Sequence, residues 1–227
     1  MINILSSGTI YEAEHVKRQL EQYITPTSKI CVIAFSFFES DDLYDQYIKT
    51  YTPPLGIWYN HVLNPFLTYG VDLSNVSWII YKKDTIESAK QKLQQADIIF
   101  LPGGAPDKFF DRLVAYDLVE LIKNSDKIIM GPSAGTMIQL NWYHISKDSD
   151  YKKYAIHDGL GLLNDFGVEV HYRRRKQQKK GIRRTSLMDN RPIYVIEEPG
   201  FMILEDGKII YQYMARKYYE NGKKVKY

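Results

Sequence analysis

"KIIMGPSAGTM" occupies residues 127–137. A β-branched apolar run ends in Gly131-Pro132-Ser133-Ala134-Gly135, and a helix-compatible stretch follows. Strand, Gly-x-Ser-x-Gly, helix is the order in which a strained turn exposes a serine hydroxyl. Small neighbours at Gly131, Ala134 and Gly135 let the strand and helix backbones approach, and the helix start aims its amides at a developing oxyanion. The plainer reading of the same residues is a βα turn whose serine caps the helix.

Working outward, short apolar runs recur on both sides. "INIL" (2–5), "KICVIAF" (29–35), "VSWIIY" (76–81) and "DIIFL" (97–101) join "KIIMG" (127–131) as strands buried on both faces. Residues 11–23, 84–95 and 105–124 carry helical periodicity between them, with Asp84 and Glu87 placed to form a capping box. The alternation predicts an α/β fold with an open, mostly parallel, doubly wound sheet. Residues 36–70 interrupt it with aromatics, Pro53-Pro54 and one helical-looking stretch, read as a loop and an inserted helix near the mouth of the sheet. After residue 160, strands follow one another through tight turns, and Asp206-Gly207 predicts a C-terminal hairpin. No repeat or linker divides the chain, so residues 1–227 read as a single domain.

Composition narrows the function classes. Of 227 residues, 44% are hydrophobic, enough for a sizeable core, yet no apolar run reaches the length of a membrane span. The N-terminus lacks a basic flank followed by an apolar stretch, so no signal peptide is expected and the expected location is the cytoplasm. The single cysteine, Cys31, excludes an internal disulfide and reads as core packing. No metal-ligand spacing or dinucleotide glycine fingerprint occurs, so no cofactor and no metal are expected.

A second glycine-rich turn, Pro102-Gly103-Gly104 in "DIIFLPGGAPDKFFDRL", directly follows another strand. Neighbouring parallel strands put their carboxyl-end loops on one rim, where this fold class binds ligands. The amides of Gly103 or Gly104, with that of Ala134, are placed to form an oxyanion hole. A nucleotide- or phosphate-binding loop, or an ordinary turn, is the alternative for these glycines.

"FLPGGAPDKFFDRL", "GPSAGTMI", "GLGLLNDFGVEVHYRRR" and "YVIEEPGFMILEDGKI", in that order, resemble peptidase family S51, which includes dipeptidase E and cyanophycinase. The resemblance covers nearly the whole chain. It implies a flavodoxin-like fold similar to the class I glutamine amidotransferase domain, with serine replacing the cysteine nucleophile. It also implies a small peptide as substrate and acyl transfer at a peptide-like bond.

A serine needs a base. Among five histidines the residues alone leave His144, His157 and His171 open, while His15 and His61 read as structural or solvated. The resemblance selects His171. It also implies an acid behind the histidine. Dipeptidase E places one at the position matching Asp148, with Asp150 nearby; cyanophycinase-like members use a glutamate, for which Glu198 is available beside Glu197. Asp148 is the expected acid and Glu198 the alternative.

"HYRRRKQQKKGIRRTS" (171–186) is strongly basic and reads as a solvated loop. Net charge is only +3, and no nucleic-acid motif is present, so no nucleic-acid or membrane partner is expected. Arg173 and Arg175 are candidates to clamp a substrate carboxylate, aspartyl peptides being the group's substrates. The resulting expectation is a serine peptidase acting on short peptides, possible as a homodimer. A non-catalytic amidotransferase-like binding module, or an amidase or esterase using Ser133, is the competing expectation.

Overall fold

A computed structural model describes residues 1–38 and 43–226. In chain order, the first half comprises β1 (Ile2–Ser6), α1 (Glu14–Leu20), β2 (Ile30–Ala34), α2 (Leu43–Tyr51), α3 (Ile57–Leu67), β3 (Val76–Ile80), α4 (Ile86–Gln95) and β4 (Ile98–Phe100). Then come α5 (Pro106–Ala115), α6 (Val119–Lys123), β5 (Ile128–Pro132), α7 (Ala134–Met137), β6 (Trp142–Ile145) and β7 (Ala155–Asp158). The chain closes with β8 (Gly167–Glu169), α8 (Lys176–Asp189), β9 (Ile193–Glu205), β10 (Lys208–Glu220) and β11 (Lys223–Lys224).

All five strands expected between residues 2 and 131 form, and they pair in parallel in the order β1-β5-β4-β2-β3. β9, β10 and β11 extend this sheet antiparallel beyond β1, and β8 joins it parallel to β9. β6 and β7 make a separate ribbon. β2 explains why the sequence looks uniformly apolar. Its five residues are all buried, but Cys31 and Ile33 pack with α4, α5 and α6, whereas Val32 packs with α1 and α3. Successive residues of a strand face opposite ways, so a sheet with helices on both faces needs both sets apolar. Burial pushes the Cys31 thiol up to about 11, which leaves it protonated inside the core.

Several local expectations change. The helix of 84–95 is capped by Thr85, whose hydroxyl accepts from Ser88 N at 3.1 Å. Asp84 instead accepts from Ile80 N and the Ser88 hydroxyl and pairs with Lys92. Residues 105–124 form two helices, α5 and α6, broken where Asp117 takes φ 53°. The insert of 36–70 carries two helices, α2 and α3, and part of its expected loop, 39–42, lies outside the described residues. The basic run expected as a loop is mostly helix, α8, with Gly181 set against the Ser146 side chain. The two C-terminal strands form the expected hairpin through Asp206-Gly207, with "PIYVIEE" and "GFMILE" fused into one long β9.

The order of the parallel strands places the site. The chain passes from β2 to β3 on one side, then returns to β4 on the other side of β2. Reversals of this kind open a crevice at the carboxyl ends of the flanking strands. Ser36 and the following aromatics leave β2 there, Pro102-Gly103-Gly104 leave β4, and Ser133 leaves β5.

Candidate active site

Ser133 stands between β5 and α7 with φ 52° and ψ −111°, a conformation that costs a non-glycine residue of order 1–3 kcal/mol. The turn is held from three directions. Ser133 N donates to Ser6 O at 2.9 Å on neighbouring β1. The Thr136 hydroxyl accepts from Ser6 N at 2.8 Å, and its one proton is within reach of both Ser6 O and Gly131 O at 2.9 and 2.8 Å. Gly135 lies so close to β4 that a Cβ there would sit 1.7 Å from Leu101 O. The elbow is therefore packed against the residue that opens the Pro102-Gly103-Gly104 turn. Gly104 takes φ 143°, and a Cβ there would meet Ser36 O at 2.1 Å, so this turn too has room only for glycine. α7 is a single turn, Ala134–Met137, shorter than the helix the sequence implies.

His171 follows β8, off the end of the strand rather than within it, at φ 51°. Its backbone N–H donates to the Ser7 hydroxyl at 2.9 Å, and that hydroxyl donates to Ile196 O at 2.8 Å. Its carbonyl accepts from Gln178 Nε2 at 2.9 Å, while Gln178 Oε1 takes the Arg173 amide at 2.9 Å. So fixed, His171 Nε2 lies 2.8 Å from Ser133 Oγ, and Nδ1 meets Glu198 Oε1 in a short hydrogen bond. The second oxygen of Glu198 accepts from the Arg173 guanidinium at 2.7 Å. That hydrogen bond, aided by the one from His171, holds the Glu198 carboxyl below the usual glutamate range.

The other expected residues are placed as follows. Asp148 lies on the exposed β6–β7 connection, where Oδ1 accepts from Asp150 N and Tyr151 N at 2.9 and 2.8 Å. It closes a turn at the rim of the cleft and is not the carboxylate against His171, which is Glu198. Alternation along β9 turns Glu197 the other way, onto Arg216 at 2.6 Å. His144 is buried on β6 with Nε2 2.7 Å from Glu169 Oε2 and is not the imidazole that meets Ser133, which is His171. His157 faces Tyr143 with ring centroids 5.8 Å apart. Arg173 and Arg175 both line the cleft beside Ser133, but the Arg173 guanidinium is engaged by Glu198.

Two residues went unnoticed in the sequence. Ser7 carries no local signal, since its partners are 164 and 189 residues away. Gln178 had one: it sits three residues after Arg175, at the start of α8, where a side chain reaches back to the preceding backbone. Among the described residues, no cluster of histidine, cysteine or carboxylate side chains is placed to hold a metal ion. No helix among them is long and apolar enough to cross a membrane.

Comparison with known proteins gives the family and the fold. The sequence model of peptidase family S51 matches residues 58–211, which is most of the chain and includes the elbow and His171. The chain belongs to peptidase family S51. As a member of that family it is a serine peptidase. Solved structures that share its fold include the following two. One is a candidate peptidase E protein from Listeria monocytogenes EGD-e, 17% identical, with a TM-score of 0.67 over 95% of this chain and 98% of that one. The other is a peptidase from an acI-B1 Actinobacterium, 16% identical, with a TM-score of 0.61 over 90% of this chain and 83% of that one. No curated protein matches the sequence. The S51 match starts within α3, so the aromatic segment before Trp58 lies outside it.

Proposed function

We propose that this S51 peptidase hydrolyses short peptides through an acyl-enzyme on Ser133, with His171 as base and Glu198 as the acid behind it. The observation that carries the reading is the pair of contacts on one imidazole, Ser133 Oγ at Nε2 and Glu198 Oε1 at Nδ1. Ser133 Oγ attacks the carbonyl carbon as its proton passes to Nε2. Glu198 keeps the other proton on Nδ1 and stabilises the imidazolium. The C–N bond then breaks as Nε2 returns the proton to the leaving amine. Water attacks the acyl ester, its proton passing through Nε2 to Ser133 Oγ, and the acid product leaves.

The amides of Gly104 and Ala134, with Gly103 alongside, are the proposed oxyanion donors. A Cβ on Gly103 would lie 3.4 Å from Ser133 Cβ, so this turn flanks the attacking oxygen. Among the described residues neither the Gly104 nor the Ala134 amide donates to a backbone carbonyl, which leaves both available to a substrate.

A preference for an acidic substrate is part of the proposal. The cleft of about 700 Å³ on the β8–α8 side of Ser133 is lined by the cations Lys147, Arg173, Arg175 and Lys176, against the carboxylates of Asp148, Asp150 and Glu169, the last of which is buried and engaged by His144 and Ser146. Arg175 carries the larger share of that role because Arg173 already serves Glu198.

A fluorophosphonate probe and a dipeptide panel with Asp or Ala at each position test the reading. The wild-type protein is expected to label at Ser133 and to favour an Asp-containing peptide. Ser133→Ala is expected to lose labelling and at least about 10⁴-fold in kcat. Hydrolysis that survives Ser133→Ala would disprove the mechanism.

A further inference from the structure

A second cleft opens on the other face of Ser133. It has a volume of about 500 Å³ and lies at the strand-order reversal, between the carboxyl ends of β2 and β4. It shares Gly104, Ser133, His171 and Phe38 with the cationic cleft, so the two meet at the reacting hydroxyl. Its lining differs. Tyr47, Tyr51, Phe37, Phe38, Trp58 and Phe100 line it, and no lysine, arginine or carboxylate does so among the described residues.

The interrupting segment of 36–70 builds this wall. Tyr47 and Tyr51 are one helical turn apart on α2, on one face. Both are buried, and Tyr47 is fixed by donating to Ala34 O, by accepting from Tyr81 N at 3.1 Å, and by stacking on Phe37 with centroids 4.0 Å apart. The buried Arg112 guanidinium lies 3.6 Å from the Phe37 ring and donates to Phe37 O, locking the chain as it leaves β2. The inner wall is thus set before any ligand arrives. The rim is different: Trp58 and Phe38 are 49% and 39% exposed, large aromatic surfaces left facing the opening. Fixed aromatic walls with an open aromatic rim, joined to a nucleophile, are what an apolar side chain of a substrate requires.

We infer that this cleft is a specificity subsite that takes an aromatic side chain of the peptide substrate, on the side of the scissile bond opposite the residue held by the cationic cleft. The inference rests on the peptidase reading of Ser133. It makes Trp58 and the α2 face, outside or at the edge of the family match, the determinants that set this chain's selectivity.

The test uses matched dipeptides, Ala-Ala, Phe-Ala and Ala-Phe, together with Asp-Ala and Asp-Phe. For one of the two positions the wild-type protein is expected to hydrolyse the Phe peptide with kcat/KM at least about tenfold above its Ala counterpart, since even a single methylene in such a pocket is worth that much. Trp58→Ala removes the rim and should shrink this ratio several-fold. Thr50→Phe, which points a ring from α2 into the cleft, should bring it close to one. Circular dichroism checks that each variant is folded. Equal rates for Phe and Ala peptides at both positions, or a ratio unmoved by both variants, would overturn the subsite while leaving the peptidase reading intact. If no dipeptide is cleaved and no probe labels Ser133, the peptidase reading fails by itself. The cleft is then read directly by titrating tryptophan emission with phenylalaninamide, with alaninamide as control. A saturable change given by the aromatic amide alone and lost in Thr50→Phe supports the aromatic site, and its absence in the wild-type protein overturns it.

Discussion

The protein contains two histidine–glutamate pairs, and only one of them stands beside Ser133. His171 and Glu198 have side chains 40% and 36% exposed, and the histidine stands between a serine and the carboxylate. His144 and Glu169 are 1% and 7% exposed, and there the carboxylate stands in the middle, accepting from both His144 and the Ser146 hydroxyl. Ser146 hydrogen-bonds a carboxylate that also holds His144, so no imidazole nitrogen stands at its hydroxyl to take the proton. A histidine sealed in the interior cannot pass a proton to a substrate. Pairing a histidine with a glutamate is therefore not sufficient for catalysis; order and access decide. The buried pair instead fixes β6 against β8, the strand from which His171 emerges two residues later.

The sharpest way to break this comparison is to neutralise the exposed pair. Glu198→Gln keeps the shape but offers Nδ1 an amide that no longer fixes the imidazole tautomer or offsets its charge. By analogy with the serine-protease aspartate, kcat is expected to fall by about 10³- to 10⁴-fold. Asp148→Asn should leave kcat within about threefold, because its carboxylate only closes an exposed turn and such surface changes cost little. Steady-state kinetics on the best dipeptide decides between them. A larger loss from Asp148→Asn than from Glu198→Gln would return the acid role to the β6–β7 connection.

The buried pair should answer to a different measurement. Glu169→Ala leaves His144 and the Ser146 hydroxyl without their shared partner inside the protein. Removing one member of a buried pair costs about 3–5 kcal/mol. The urea midpoint should drop accordingly, while the folded fraction still labels at Ser133. Glu198→Gln should do the reverse, slowing labelling with little change in the midpoint. A Glu169→Ala protein of normal stability but lost reactivity would show that the two pairs work as one network.

The contrast also explains what the sequence could disclose. The strands were readable because burial on both faces makes β2, β4 and β5 continuous apolar runs. Ser133 was readable because its two flanking glycines are forced by the approach of Leu101 O, a constraint local enough to leave a motif. The acid was not. Its choice depends on β9 returning beside β1 and on which of Glu197 and Glu198 the pleat turns inward, and both facts belong to pairing across the sheet. The basic run misled for a related reason. Its charges mask the helical period, and the inner face of α8 is made of Gly181 against Ser146 with Ile182, Thr185 and Ser186 buried, a set with little apolar signal. The aromatics of 36–70 were visible as an irregularity, but a wall made by two helices and a strand end has no linear signature.

The smallest expected effect concerns Arg173, which tunes the exposed pair. Its guanidinium is the main reason the Glu198 carboxyl titrates below the usual glutamate range. A carboxyl lowered on folding adds stability that is present above its unfolded value and is lost as pH falls through its folded value. Arg173→Ala removes the first cause, so Glu198 should titrate higher, nearer an ordinary glutamate, followed by the carboxyl carbon-13 shift across the acid range. Acid unfolding should begin at a higher pH in the variant by the same linkage. Because both side chains are well exposed, water and salt screen the pair, and stability at neutral pH should change by no more than about 1 kcal/mol. His171 retains its own hydrogen bond to Glu198, so the variant is expected to remain active at neutral pH and to lose its reactivity earlier on acidification. An unchanged Glu198 titration in Arg173→Ala would mean that His171, rather than the arginine, sets the ionisation of this carboxylate.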